Sequence, residues 1–87
     1  MSPWKAAMNE PTTIVEEIAA ELISAQRKFP PFHNAHEGYA VLLEEVDELW
    51  KEVKVGSRVA MRREAIQVAA MALRFLVDVV PRRSPRA

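Results

Sequence analysis

A chain of 87 residues carries twelve basic and twelve acidic side chains, so no net field draws it to nucleic acid or to a membrane surface. It has no cysteine, which excludes a disulfide framework, a thiolate zinc site and a thiol nucleophile. An apolar content of 49% is enough for a core, but a domain this small buries only about 60% of its unfolded surface, so a partner is expected.

Residues 1–10 read as a loose arm in which Trp4 and Met8 can pack against the body. The arm has no apolar run of the signal-peptide kind and no stretch reaches membrane-spanning length, so a cytoplasmic protein with no membrane partner is expected. Thr13-Ile14-Val15-Glu16 reads as a capping box, in which hydroxyl and carboxylate satisfy free backbone donors reciprocally. Ile14, Ile18, Leu22 and Ala25 then recur at helical spacing, and Pro30 and Pro31 stop this first helix near Lys28. Residues 32–37 read as a polar turn rich in histidine. The spacing predicts a second helix over about residues 36–54, a break at Lys54-Val55-Gly56-Ser57, and a third helix over about residues 58–79 capped by Ser57. Residues 81–87, basic and proline-bearing, are expected to be disordered. No strand signal appears, so residues 1–87 read as one all-α domain.

The second helix carries the most informative pattern. Glu37, Glu44, Glu45, Glu48 and Glu52 fall within an arc of roughly 100°, with Lys51 and Lys54 outside it. Like charges at i,i+3 and i,i+4 cost about 0.2–0.5 kcal/mol per pair. Carboxylates concentrated in this way are what a hard cation such as Mg²⁺ requires. Tyr39, Leu42, Leu43, Val46, Leu49, Trp50 and Val53 occupy the other side, and Tyr39 and Trp50 read as core.

The third helix is apolar over most of its circumference. Between Ala65 and Val77 only Gln67 and Arg74 are polar, and Arg63, Glu64, Gln67, Arg74 and Asp78 share one narrow side. Such a helix must be covered on several sides, which points to self-association as a dimer or a dimer of dimers. The short break makes the second and third helices antiparallel neighbours. With Gly56 as the centre, Glu48 lies level with Glu64 and Glu45 with Gln67, so Glu44, Glu45, Glu48 and Glu64 are expected to converge.

These residues resemble the MazG-like, all-α nucleoside triphosphate pyrophosphohydrolases. Glu44-Glu45-Val46-Asp47-Glu48 is similar to the family's E-E-x-x-E motif, and Glu64-Ala65-Ile66-Gln67 stands where the family carries E-x-x-D. The resemblance spans roughly residues 33–79. It implies an oligomeric helical bundle that hydrolyses a nucleoside triphosphate to the monophosphate and pyrophosphate, using Mg²⁺ with Mn²⁺ as a substitute. Glu44, Glu48, Glu64 and Gln67 would be the metal ligands, and Glu45 would position or deprotonate the attacking water. His33, His36, Lys51 and Arg63 are the candidate substrate contacts. One departure stands out: Gln67 replaces the usual aspartate, offering a carbonyl oxygen but no charge. Asp78 lies eleven residues further on, about 16 Å along the axis, too far to substitute.

Plainer readings stand beside each of these. The stripe can be a solvated acidic face, and His33 and His36 can serve as capping or loop residues. Arg62, Arg63, Arg74, Lys51 and Lys54 can pair with carboxylates rather than phosphate. Gln67 can be a bonded polar group within the bundle. The basic tail lacks interleaved aromatics, so nucleic acid is not an expected partner. A nucleotide-binding or helical interaction module that lost turnover at Gln67 is the alternative to an active enzyme, and a purely structural oligomerisation domain is a third reading.

Overall fold

The computed structural model describes residues 9–80. Three helices follow one another, α1 Asn9–Lys28, α2 Ala35–Val55 and α3 Arg58–Asp78, with no strand among the described residues. The all-α bundle expected from the sequence is what forms. Among the described residues no helix is long and apolar enough to cross a membrane.

The start of α1 differs from the expectation. The chain is already helical at Asn9, so Thr13 lies inside α1 and the Thr13–Glu16 box does not begin it. Pro11 sits in the first turn, where a missing N–H costs nothing, and Glu10 is favoured there by the helix dipole. Asn9 and Glu10 therefore belong to the helix rather than to a loose arm. Trp4, Met8 and the rest of that arm, like the tail 81–87, lie outside the described residues.

The remaining boundaries follow from local chemistry. Pro30 and Pro31 end α1 after Lys28. Asn34 caps α2, its Oδ1 accepting from the Glu37 N–H at 2.9 Å. The Glu37 carboxylate reaches back to accept from the His33 N–H at 3.0 Å, a reciprocal cap displaced by one residue. The histidine-rich turn is thus shorter than read, since His36 and Glu37 are in the first turn of α2 and Phe32 is buried. Gly56 closes α2 at φ 86°, a left-handed conformation that a side chain would strain. Ser57 then caps α3, its Oγ accepting from the Ala60 N–H at 3.2 Å.

α3 is the central element, packed along both α1 and α2, whereas α1 and α2 do not pack on each other. The antiparallel register of α2 and α3 is the expected one: Gly38 lies against Phe75, and Val41 and Leu42 pack on the cluster containing Ala70 and Met71. That core is small, formed by Ala25, Phe32, Ala70 and Met71 with Ile18, Phe75 and Val79 around it. Burying Phe32 and Met71 contributes about 1.5–3 kcal/mol each.

One expectation about burial is corrected: Tyr39 and Trp50 are not core in this chain but 61% and 58% exposed, because among the described residues no helix covers that side of α2. Arg74 pairs with a carboxylate, one of the readings open to it, and does so in the interior, at 4% exposure. Its Nη2 donates to the carbonyls of Phe29, at 3.3 Å, and Pro30, and its guanidinium lies 4.4 Å from the Phe32 ring centre. Its Nε is 3.3 Å from Asp78 Oδ2, close enough for an ion pair though not aligned as a hydrogen bond. The same Asp78 oxygen accepts from the Phe32 N–H at 3.1 Å. One buried ion pair on α3 therefore fastens the segment that joins α1 to α2.

Candidate functional site

Because the backbones of α1 and α2 lie close to α3 but not to each other, a cleft of about 430 Å³ opens between them. Glu21, Ser24 and Ala25 form the α1 wall, and Val41, Glu44 and Glu45 the α2 wall. Gln67, Met71 and Arg74 of α3 form the floor. Phe29, Pro30 and Phe32, held by Arg74, line it from the connecting segment. The result is a groove with carboxylates and one amide beside an apolar and aromatic lining, the mixed character typical of small-molecule sites.

Glu45 is shifted by its surroundings in the cleft. Its half-buried carboxyl is pushed above the usual carboxylate range, first by burial and then by the negative charges of Glu64, Glu48, Glu44 and Glu21. The helical arc of α2 and the antiparallel register bring these charges to bear on one carboxyl. Glu21, which comes from α1, was not found in the sequence reading; it belongs to no motif, and only the packing of α1 on α3 brings it here.

The other candidate ligands are less drawn in. Glu44 and Gln67 line the cleft, while Glu48 and Glu64 flank it without lining it. Glu48 is 3.2 Å from Lys51 Nζ, so the stripe is not free of lysine in space even though Lys51 lies outside its arc. Glu64, half-buried, is 3.5 Å from Arg63 Nε. Oxygen donors of this kind fit a hard cation such as Mg²⁺ or Mn²⁺ in their chemistry. As the side chains stand, no three carboxylate or imidazole groups among the described residues come close enough together to hold one metal ion.

The candidate substrate contacts lie outside the cleft lining. His33 is exposed and its Nδ1 is 2.8 Å from Glu37 Oε2. That hydrogen bond raises the His33 imidazole above its ordinary value and, from the other side, lowers the Glu37 carboxyl. His36 is exposed in the first turn of α2. Lys51 is engaged with Glu48. Arg63 lines a shallower groove between α1 and α3, beside Arg62, which forms a two-pronged pair with Glu17 at 2.7 and 2.8 Å. The cations nearest the cleft are instead Lys28 and the fully committed Arg74. Arg74 had a signal: the one charged residue in the apolar run from Ala65 to Val77, with an aspartate four residues on, is the pattern of a buried pair.

Comparison with protein-family models, curated proteins and solved structures finds no match to this chain.

Proposed function

We propose that the chain is a divalent-cation-dependent nucleoside triphosphate pyrophosphohydrolase, with the cleft between α1 and α2 as its substrate site. The observation that carries this reading is Glu45: a half-buried carboxyl in a cleft, raised by burial and by four neighbouring carboxylates. A carboxylate whose pKa is raised is a stronger proton acceptor than an ordinary one, and charge crowded around it is a demand for a cation. Mg²⁺ would be held by Glu44, Glu48 and Glu64 with the Gln67 carbonyl, and when bound would neutralise phosphate charge. Glu48 and Glu64 would have to turn from Lys51 and Arg63, which costs little because exposed pairs are worth about 0–1 kcal/mol each. Glu45 would take the proton of the water that attacks the triphosphate, breaking the bond between its α and β phosphates and releasing pyrophosphate. The apolar and aromatic lining around Phe32, Val41 and Met71 suits a planar base. The same reading has the chain acting as a homo-oligomer, supported by the large apolar side chains left exposed on α2 and α3.

A second reading is favoured by one residue. Gln67 places a neutral amide in the cleft where a carboxylate would complete the charge, which suits a module that binds nucleotide without turning it over. A panel of ribo- and deoxyribonucleoside triphosphates with Mg²⁺ or Mn²⁺ separates the two. Pyrophosphate release supports the enzyme; saturable nucleotide binding without release supports the module; neither result leaves the cleft without this function.

A further inference from the structure

Little along the length of α1 fixes how far it stands from α2. Of its described side chains only Ala25 is buried, with Ile18 and Leu22 half-covered, and no α2 backbone lies beside it. Midway along, Glu17 pairs with Arg62 of α3, but exposed pairs of this kind contribute little. The joint between the two helices is held differently. The Phe29 N–H closes the last turn of α1 on the Ala25 carbonyl at 3.0 Å, and the carbonyls of Phe29 and Pro30 follow just beyond. Arg74 Nη2 donates to both, which sets a cation at the C-terminal end of α1, where the helix dipole favours one. Asp78, one turn further along α3, accepts the Phe32 N–H that leads into α2. One ion pair thus holds the exit from α1 with its cation and the approach to α2 with its anion, and Pro30 and Pro31 stiffen the link between the two holds.

We propose that Arg74 is a positioning residue of the cleft: by fixing this joint it sets the spacing of α1 and α2, and with it the affinity for the ligand that lies between them. The spacing follows from the joint alone; the consequence for affinity rests on the cleft being the nucleotide site. Arg74 Nε is sealed from solvent without an aligned hydrogen bond, and apolar residues of like volume often serve a core as well as a buried pair does. What a guanidinium adds is direction, since its planar fork takes several acceptors in one fixed geometry. Phe29 is where that direction is felt. Its side chain is 59% exposed yet lines the cleft, and its backbone is carried by Arg74, so its ring is held out as a flat surface for a planar base. Arg74 bonds to none of Glu21, Glu44 and Glu45, so it acts on fit rather than on proton transfer.

The full chain tests it in two ways. It has no cysteine, so spin labels can be placed at Gln26→Cys on α1 and Asp47→Cys on α2, both exposed and outside the cleft lining. Diluted into unlabelled chain, so that only labels on one molecule are read, the pair should give one narrow distance distribution. Arg74→Lys keeps the charge but not the fork, and should broaden that distribution or lengthen it by several ångströms with helix content unchanged. Should that variant lose helix content, Asp78→Asn is read in its place, since it keeps an acceptor for the Phe32 N–H and removes only the charge that holds Arg74. An unchanged distribution in the folded variant overturns the proposal. The second readout is kinetic. Where the native chain releases pyrophosphate, Arg74→Lys should raise KM several-fold and lower kcat less. A role in stability alone would reduce the active fraction instead, lowering kcat at constant KM, and that result also overturns the proposal. A native chain that neither binds nor hydrolyses nucleotide removes the hydrolase reading, and the label distances then decide the role of Arg74 in the joint.

Discussion

Gly38 of α2 and Phe75 of α3 meet so closely that a methyl group at position 38 would lie 2.7 Å from Phe75 Cδ2, with Phe32 Cδ2 at 3.0 Å. The contact lets α2 approach α3 at the level where the segment joining α1 to α2 is fastened. Gly38→Ala gains about 1 kcal/mol of helix propensity but overpacks a site walled by two rings, which costs about 1–3 kcal/mol. A net loss of about 1 kcal/mol is expected, lowering the melting temperature by about 4–8 °C. Thermal unfolding checks this, and a stabilised variant would contradict the close packing.

Arg74 and Asp78 should behave as a buried pair. Arg74→Met leaves Asp78 buried without its cation and frees the carbonyls of Phe29 and Pro30, so a loss of about 3–5 kcal/mol is expected. The double variant Arg74→Met/Asp78→Leu removes the stranded charge and should be the more stable of the two, though below the native chain because the Phe32 N–H then loses its acceptor. Urea unfolding of the three proteins gives the order.

These two contacts mark how far the sequence reaches. The hairpin was legible because Gly56 and Ser57 set its turn and the heights of α2 and α3 follow from it, which is why Glu45 and Gln67 were expected together and both line the cleft. The placement of α1 was not, because the proline segment after Lys28 ends a helix without aiming the next one. Glu21 and the cleft itself were missed for that reason. The side of α2 bearing Tyr39 and Trp50 was correctly read as apolar, but periodicity says which face is apolar and not which chain covers it. Thr13 misled because a capping-box pattern inside a helix has the same spelling as one at its start.

The shift at Glu45 makes a stability prediction with a definite sign. A carboxyl whose folded value is raised binds its proton more tightly in the native state, so folding is less favourable above the folded value and recovers as pH falls through it. Glu45→Gln should therefore stabilise the metal-free chain at pH 7 and flatten the dependence of stability on pH just above the ordinary carboxylate range. Free Mg²⁺ at about 10–100 times its dissociation constant should stabilise the native chain by about 1.4–2.7 kcal/mol, and NaCl of equal ionic strength should not. Melting curves in the two salts check it; equal shifts would mean an ordinary acidic surface.

His33 and Glu37 titrate as partners. The His33 contribution is present below 6.5, its ordinary value, and is lost as pH rises through the raised folded value. The Glu37 contribution is present above 4.5 and is lost as pH falls through the lowered folded value. Their mutual support therefore peaks between those two values. In an NMR titration, Glu37→Gln should bring the His33 midpoint down toward its ordinary value. An unchanged midpoint would show that the contact does not persist in solution.

Hydrolysis in the cleft depends on Glu45, and the most direct measurement is pyrophosphate release from nucleoside triphosphates with Mg²⁺ by the native chain, Glu45→Gln and Glu52→Gln. Both substitutions remove one carboxylate of the same stripe, but only Glu45 lines the cleft. The prediction is release by the native chain, release within a few-fold of it by Glu52→Gln, and a loss of about 10²–10⁴-fold in Glu45→Gln with helix content unchanged. Equal activity in the two variants, or none in the native chain across the panel, would contradict it.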